Sequence, residues 1–463
     1  MAAMTTHPLP ELPIDRLRAD LDGRLLLPGD RDYDRARLPW NRSVEQHPAA
    51  VVEAASVADV QATVRRARAL GLRVAPQSTG HGAESLASLA GAILLRTAAL
   101  DDIDVDVDAR TARVGAGDTA GAVAVAAGEH GLAPVLGLAP SVGVAGLALG
   151  GGLGWLSRTH GLASNNVVAL DVVTADGVAR RVDAHHDADL HHALRGGGGR
   201  FAIVTGLELA LHPVDGVSAG MLAWPVEATA DVLEQVRRWA LTAPDCASAV
   251  VRVLSVPPIE GAPAPIRGRR VVAVVAAHLG TPADADRQIA PLRGAGGTLV
   301  DTFGPVAPRD LVHVAGDPEE PGPGRGDGLL LRELAPDTVA AVAGLVADDA
   351  LEALGVLELR QLGGALRRPA PSGHGPLAGV DAGWAVFAGG IAPDAAACAA
   401  IDEAIGRVRE RLAPWTAPQV LLNLSSGGVD PEAAFGAPTW DRLQRIRHAY
   451  DPDKVILAHH DPA

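Results

Sequence analysis

Apolar positions in the first half of the chain follow two spacings in turn, one typical of strands and one typical of helices. Residues 49–55 form an apolar run, and from Ser56 to about Leu70 apolar residues recur at helical intervals, with Asp59 in the first turn. Residues 72–76 are again strand-like. The pattern predicts a β-α-β unit whose helix is capped by Ser56.

The same reading continues to Pro213. A helix is predicted from about Thr119 to Gly131, and Asp176-Gly177 marks the turn of a hairpin over 167–179. Further strands are predicted at 92–97, 103–107, 112–115 and 201–211.

Beyond Pro213 the composition shifts, which predicts a second domain. Strands are expected at 271–276 and 355–360, a mobile surface loop over the proline- and glycine-rich residues 317–328, and a last helix from Asp441. We therefore expect two domains. Residues 1–214, with 430–463 returning to them, form one, and residues 215–429 form the other.

Charge and cysteine content narrow the function. The 463 residues carry 55 acidic and 40 basic side chains, a net charge of −15, which argues against nucleic acid or an anionic membrane as partner and favours small neutral molecules. Cys246 and Cys398 lack the spacing of a metal site or disulfide framework. With no signal-like start and no run of about 18 apolar residues, we expect a cytoplasmic protein.

Glycine-rich loops are the strongest chemical signal in the sequence. Residues 115–121 (GAGDTAG) are one residue too long for a dinucleotide fingerprint, which favours a simple strand-to-helix turn. Three other loops, around His81, at 140–154 and at 195–204, expose backbone that can approach a ligand closely. A long, flat, diphosphate-containing cofactor fits three such loops, and FAD fits best.

The motifs also carry a family resemblance. They are Trp40-Asn41, PQSTGHGA at 76–83, GLAPSVGVAGLALGGGLG at 137–154, HGLASNNVVALDVVTADG at 160–177, LHHALRGGGGRFAIVT at 190–205 and the late YDP at 450–452. With them the chain resembles the FAD-linked oxidases of the vanillyl-alcohol oxidase superfamily, in the berberine-bridge-enzyme-like branch. The resemblance runs from about Tyr33 to Val214 and from Val420 to Pro462, and Leu359–Leu366 resembles this branch's substrate-domain strand.

The resemblance implies an α+β fold, with a two-part FAD-binding domain of the PCMH type and an α/β substrate domain built on an antiparallel sheet. It implies a covalent bond from the ring of His81 to the flavin 8α-methyl. Many relatives have a second link from a cysteine, but Ala139 takes that place, so a single link is expected. A valine at 142 favours an oxidase. The implied cofactor-binding residues are Gln77, Ser78, Thr79, Gly80, His81, Gly82, Ala83, Pro140, Ser141, Val142, Gly143, Gly146, Gly150, Gly151, Gly154, Asn165 and Val204.

Two departures from the family concern the catalytic groups. Leu421-Leu422-Asn423 stands where relatives have a tyrosine two residues before the asparagine, and His459-His460-Asp461 replaces a late Asn-x-Asn. An imidazole there could accept the substrate's hydroxyl proton, because histidine titrates near neutrality; a solvated tail is the alternative. The candidate catalytic residues are Asn423, His459 and His460.

The resemblance implies an oxidase that takes hydride from a hydroxyl- or amine-bearing carbon of a sugar or natural-product-like molecule to flavin N5, with dioxygen as acceptor and hydrogen peroxide as product. A dehydrogenase with another acceptor, a flavin-binding protein without turnover and a non-flavin nucleotide binder resting on Gly115-Ala-Gly117 are the alternatives. Asp187 and His191, four residues apart, invite a metal site, but scattered histidines on such a helix favour a surface role, and no metal is expected.

Overall fold

Three β-sheets organise the computed structural model, which describes residues 14–86, 89–348, 351–370 and 373–460. The first sheet has the order β1-β2-β4-β3, with β2, β4 and β3 parallel and β1 antiparallel. Its strands are β1 (Arg24–Leu26), β2 (Ala50–Glu53), β3 (Arg73–Gln77) and β4 (Ala92–Arg96), and its helices are α1 (Tyr33–Ala36) and α2 (Val57–Leu70).

The β-α-β start is confirmed. The hydroxyl of Ser56 accepts a hydrogen bond from the Asp59 N–H at 3.3 Å, and the helix ends at Gly71, whose φ is +68°. Val60 and Val64 of α2 are fully buried against the sheet. This packing fixes the end of β3, and with it the loop that carries His81.

The second sheet is antiparallel, with the order β5-β6-β10-β8-β9 and β7 paired to β10. Its strands are β5 (Ile103–Asp106), β6 (Thr111–Gly115), β7 (Leu132–Pro134), β8 (Val167–Val173), β9 (Ala179–Asp183) and β10 (Ile203–Pro213). The helices along this part of the chain are α3 (Ala120–Gly128), α4 (Val144–Leu149), α5 (Ser157–His160) and α6 (Ala188–Leu194).

The third sheet is also antiparallel and has eight strands, in the order β14-β11-β13-β12-β17-β18-β16 with β15 on β11. The strands are β11 (Val217–Pro225), β12 (Ala247–Ser255), β13 (Arg270–Leu279), β14 (Val300–Asp301), β15 (Gly304–Pro305), β16 (Gly324–Leu331), β17 (Val356–Gln361) and β18 (Trp384–Ile391). Its helices are α7 (Thr229–Ala240), α8 (Pro282–Arg293), α9 (Pro336–Ala347) and α10 (Ala395–Leu412).

One face of the third sheet is covered by its helices. The opposite face, the facing side, packs against the first part of the chain. The large apolar core lies on the side of α7 to α10. The other side meets the first part of the chain through two smaller apolar clusters, one joining Trp155 to Val250 and one joining Leu153 to Leu330. The α+β architecture with an antiparallel sheet is confirmed.

One sequence expectation was wrong in part. The loop expected at 317–328 becomes strand β16 from Gly324 onward. A Cβ on Gly326 would collide with the Phe387 ring of the partner strand, and one on Gly328 would lie 2.8 Å from the Leu424 carbonyl oxygen. These glycines serve close strand packing rather than a turn.

The chain then returns to the first sheet. After α11 (Pro431–Phe435) and α12 (Ala437–Tyr450), which begins four residues before the expected start, Val455–Leu457 runs beside β3. The Val74 N–H donates to the Val455 carbonyl and the Leu457 N–H donates to the Val74 carbonyl, both at 2.8 Å. No helix of the described residues is long and apolar enough to cross a membrane.

Candidate cofactor and active site

The first glycine loop, residues 78–82, follows β3 directly. Its Gly80 has φ +88°, and a Cβ there would lie 2.8 Å from the Pro39 Cβ. Within the described part of the chain, the backbone N–H groups of residues 78–82 donate to no acceptor. Unpaired N–H groups in one turn attract an anion, and a pyrophosphate satisfies several of them at once.

The second loop meets the first. A Cβ on Gly143 would lie 2.9 Å from the Ser78 Oγ, so a side chain at this position would require Ser78 to shift. Ser141 and Val142, which precede Gly143 and α4, are both half-exposed, whereas Pro140 is buried. The two loops predicted to hold the pyrophosphate therefore lie side by side.

His81 bridges these loops. Its Nε2 lies 3.1 Å from the Ser141 Oγ, and its ring stacks on Trp40 with centroids 3.8 Å apart and planes at 18°. Burial lowers the pKa of His81 to about 4. At neutral pH the ring is therefore uncharged and has a lone pair on one nitrogen.

His459 approaches the same loop from the end of the chain. Its Nδ1 lies 2.7 Å from the Ser85 Oγ, and its Cε1 lies 3.3 Å from the position that a Cβ on Gly82 would take. Burial, with a smaller effect of His460, lowers the pKa of His459 to about 4. The structure thus brings His459 against Gly82 and Ser85, in the loop that carries His81, although His459 and His81 are 378 positions apart in the sequence.

His460 has a different environment. Its Nδ1 and Nε2 lie 3.0 Å and 3.1 Å from the carbonyl oxygens of Gly427 and Leu422, and its backbone has φ +54°. Its own carbonyl accepts a hydrogen bond from Arg200 at 3.3 Å. Both ring nitrogens are engaged with the backbone, which favours a positioning role for this side chain.

Asn423 packs against the second glycine loop and hydrogen-bonds to its backbone. Its Oδ1 accepts from the Gly152 N–H at 2.7 Å, its Nδ2 lies 3.5 Å from the Gly146 carbonyl, and a Cβ on Gly150 would collide with it. Leu421, which stands at the place of the family's tyrosine, is buried in an apolar cluster. Of the three candidate catalytic residues, Asn423 and His459 thus lie directly against the loops, whereas His460 contacts backbone carbonyls. Asp461 lies outside the described residues.

Two predicted cofactor residues have buried polar atoms without a partner among the described residues. Gln77 accepts from Arg96 at its Oε1 but leaves Nε2 unpaired, and Asn165 donates to the Leu377 carbonyl at 3.4 Å but leaves Oδ1 unpaired. Such atoms are rare in proteins and usually contact a ligand or water. Both therefore fit a polar cofactor.

The structure gives less direct support for the remaining predicted cofactor-binding residues. Gly154 lies so close to Leu136 that a Cβ would collide with its carbonyl, and Gly151 has φ +112°. Gly146 is exposed and Ala83 is buried. Val204 lies in β10 opposite Val172, with its side chain in the core.

The turn at 115–121 is structural. A Cβ on Gly115 would collide with the Leu100 carbonyl, and the Gly115 N–H donates to the Asp118 carboxylate at 2.8 Å. Burial raises the pKa of Asp118 to about 6. The glycines serve backbone packing, as the spacing indicated.

The histidines near α6 do not converge. Asp187 has φ +49° and accepts a hydrogen bond from the Tyr450 hydroxyl at 2.9 Å, whereas His191 is buried. Among the described residues, no group of three or more His, Cys, Asp or Glu side chains could hold a metal ion.

Sequence reasoning missed several residues. Ser85 follows His81 by four positions in the same loop, and only the structure shows that it contacts His459. Arg252, Glu358 and Arg360 form a buried ionic cluster on the facing side of the third sheet. A charged residue inside an apolar strand is the signal that could have found them.

The loops, their unpaired N–H groups and the two unpaired buried side chains form a surface that suits a diphosphate-containing cofactor such as FAD. Residues 48–183 match a family model described as an FAD binding domain. The chain is 32% identical over 287 residues to (R)-6-hydroxynicotine oxidase of Paenarthrobacter nicotinovorans, in a match that covers 61% of this chain and 60% of that protein.

Solved structures agree over nearly the whole chain. The crystal structure of 6-hydroxy-D-nicotine oxidase from Arthrobacter nicotinovorans superposes with a TM-score of 0.81 and 26% identity, covering 95% of this chain and 98% of that one. BBE-like 1 of Physcomitrella patens gives a TM-score of 0.82 at 21% identity, covering 96% and 97%, which shows the shared fold. The chain thus contains an FAD binding domain at residues 48–183, and over most of its length it is similar in sequence or fold to FAD-linked oxidases.

Proposed function

We propose that the protein is an FAD-dependent oxidase that carries its cofactor on His81 and oxidises a hydroxyl- or amine-bearing carbon of a sugar or natural-product-like small molecule. The observation that supports this proposal most strongly is that three kinds of group lie at the loop after β3. The unpaired N–H groups of residues 78–82, the neutral ring of His81 and the ring of His459 converge on the loop after β3. When bound, FAD supplies the acceptor for the substrate's hydride, and dioxygen reoxidises it to give hydrogen peroxide.

The residues present suit a covalent cofactor. A neutral imidazole is the form that can bond to carbon, and the pKa of about 4 keeps His81 in that form at neutral pH. Trp40 and Ser141 hold its ring in one orientation. With Ala139 at the place of the family's second link, attachment through His81 alone is proposed.

The proton acceptor is assigned to His459. The Ser85 hydroxyl donates to the Gly82 carbonyl at 3.0 Å, so its oxygen can accept a hydrogen bond from the His459 Nδ1–H at 2.7 Å. That arrangement leaves the His459 Nε2 with its lone pair, which is the form that takes a proton from a substrate hydroxyl. His460, with both nitrogens beside carbonyls, is assigned to holding the chain end in place.

The oxidase is favoured over the alternatives by the name of the relative, an oxidase, and by the half-exposed Val142 beside the cofactor loops. A dehydrogenase of the same fold would reduce its flavin but consume little oxygen. A flavin-binding protein without turnover would keep its colour with every substrate. No nucleic acid or membrane partner is proposed.

Two measurements test the proposal. Intact mass after acid denaturation should show one FAD on the wild-type chain and none on His81→Ala, with His186→Ala as the exposed control. Anaerobic mixing with a panel of alcohols, sugars and amines should bleach the flavin, and oxygen uptake with the same compound should follow. A yellow protein that releases all its FAD in acid would contradict the covalent link, and bleaching without oxygen uptake would favour the dehydrogenase.

A further inference from the structure

Four charged side chains form a line on the facing side of the third sheet. Val251 and Leu359 point into the core under the helices. Arg252, Glu358 and Arg360 alternate with such residues along β12 and β17, so they point to the opposite side, toward the part of the chain that holds the glycine loops. Asp317 completes the line.

The contacts between these four side chains establish their order. Arg252 donates from Nε to Glu358 at 2.6 Å, pairs through NH2 with Asp317 at 2.9 Å and donates from NH1 to the Ala315 carbonyl. The other oxygen of Glu358 accepts from the Arg360 Nε. The order is Asp317, Arg252, Glu358, Arg360, and the line of alternating charges ends on a cation.

Glu358 positions the last member of this line. Its side chain is 3% exposed, and although burial opposes the charged form, Arg360 and Arg252 hold the pKa of its carboxyl below the ordinary value. The bond to Nε fixes the guanidinium of Arg360. Its terminal amino groups donate to no acceptor among the described residues, and the side chain is 20% exposed.

Arg360 lies at a small cavity between the second glycine loop and the end of β17. The cavity has a volume of about 20 Å³, enough for one small polar group. Its lining residues are Leu138, Leu153, Gly154, Trp155, Ser157, Arg158, Ser248, Ala249, Val250, Arg360, Gln361, Leu362 and Leu366.

The polar lining favours an anion. Two of these residues are arginines and none is acidic. Arg158 is 6% exposed and donates to the carbonyls of Ala243, Pro244, Ala247 and Leu362, and the nearby Asp245 carboxylate offsets part of its charge. Trp155 is 5% exposed and its indole N–H has no partner among the described residues. Spare donors of Trp155 and Arg360 thus border one cavity.

We propose that this cavity binds the carboxylate of the substrate, so that the oxidised compound is a hydroxy or amino acid rather than a neutral alcohol. The inference rests on the proposed function, because it places the acid beside the flavin loops. Arg360 donates to the carboxylate, and Arg158 adds positive charge in a chain whose net charge is −15. Glu358 is a positioning residue that orients Arg360.

The test uses the FAD-loaded protein and matched probes. Lactate and mandelate are compared with propane-1,2-diol and 1-phenylethane-1,2-diol, and binding is followed by the change in the flavin's visible absorption. The carboxylates should bind more tightly than the diols, and Arg360→Gln should weaken carboxylate binding about 10- to 100-fold, the effect of losing one charge-assisted hydrogen bond. Arg360→Lys should restore part of it.

Controls separate this site from general effects. Arg287→Gln, an exposed arginine on α8, should bind both carboxylates as the wild type does. Glu358→Gln should weaken carboxylate binding, because the carboxylate that orients Arg360 is lost. Equal binding of acids and diols, or unchanged carboxylate binding in Arg360→Gln, would overturn the proposal while leaving the oxidase intact. A protein without flavin would instead refute the proposed function.

Discussion

The indole of Trp40 lies flat against the imidazole of His81, with ring centroids 3.8 Å apart. Trp40 also belongs to the segment that reaches the part of the chain carrying the third sheet, since its Nε1 donates to the Glu319 carbonyl at 3.5 Å and the neighbouring Asn41 accepts from the Gly324 N–H at 3.1 Å. The ring proposed to carry the flavin is thus held by a residue that also ties the two parts of the chain together.

Trp40→Ala should lower the fraction of chains that carry covalent FAD, because His81 loses the surface that orients it. The stacked pair contributes about 0.5–1.5 kcal/mol, so unfolding should also shift by about that amount. Trp40→Phe keeps an aromatic face and should restore most of the attachment. Intact mass and a urea titration measure both effects. Full attachment in Trp40→Ala would show that the stacking is not needed for the link.

Ser85→Ala should slow anaerobic flavin reduction about tenfold, in the range of a perturbed general base. Without the hydroxyl, the His459 Nδ1–H loses its acceptor and the tautomer is no longer selected. Ser85→Thr retains the hydroxyl and should react at nearly the wild-type rate. Stopped-flow absorbance measures the rate. A normal rate in Ser85→Ala would contradict the role of His459.

The same assignment predicts the pH profile of flavin reduction. Because the pKa of His459 is lowered to about 4, the neutral base persists well below pH 6.5, and the rate should fall only as the pH approaches 4. His459→Ala should be slow throughout and lack this limb. A wild-type limb centred near 6.5 would mean that an unperturbed histidine is the base.

Gly154→Ala should destabilise the protein by about 3 kcal/mol or more, since the new methyl group would collide with the Leu136 carbonyl in packed surroundings. Gly406→Ala is the matched control. It lies inside α10 with nothing within 4 Å of a Cβ, and should stabilise the protein by about 0.5–1 kcal/mol through helix propensity. Urea titration of both variants measures the change in the free energy of unfolding. A tolerated Gly154→Ala would mean that the loop can move away from Leu136.

His191→Gln should reduce the loss of stability in acid. Burial lowers the pKa of His191 to about 4 in the folded state against about 6.5 when unfolded, so the unfolded chain binds the extra proton between these values. Stability is fully present above pH 6.5 and falls toward pH 4, by about 1.4 kcal/mol per pH unit for one such group. Between pH 7.5 and 5 the variant should lose about 2 kcal/mol less than the wild type. Exposed His186→Gln should show the wild-type slope.

Local patterns were sufficient for much of the fold. The α2 helix with its Ser56 cap, the hairpin turning at Gly177 and the strand β10 depend on neighbouring residues, whose spacing and turn chemistry act over a few positions. The prediction of a loop over 317–328 was wrong from Gly324 onward for the opposite reason. The glycines at 326 and 328 are needed because Phe387 and Leu424, which are distant in sequence, pack closely against the backbone there. Glycine is also a common turn residue, and the prediction relied on that local preference.

The sequence by itself determined the class of cofactor and singled out His81, because three glycine-rich loops, one of them around His81, expose backbone that a ligand can approach closely. Only the tertiary structure decided which groups meet there. The pairing of Val455–Leu457 with β3 brings His459 to Ser85, and the pairing of β12 with β17 joins Arg252 to Glu358. Such contacts depend on strand register between distant segments, which is set by packing of the whole chain.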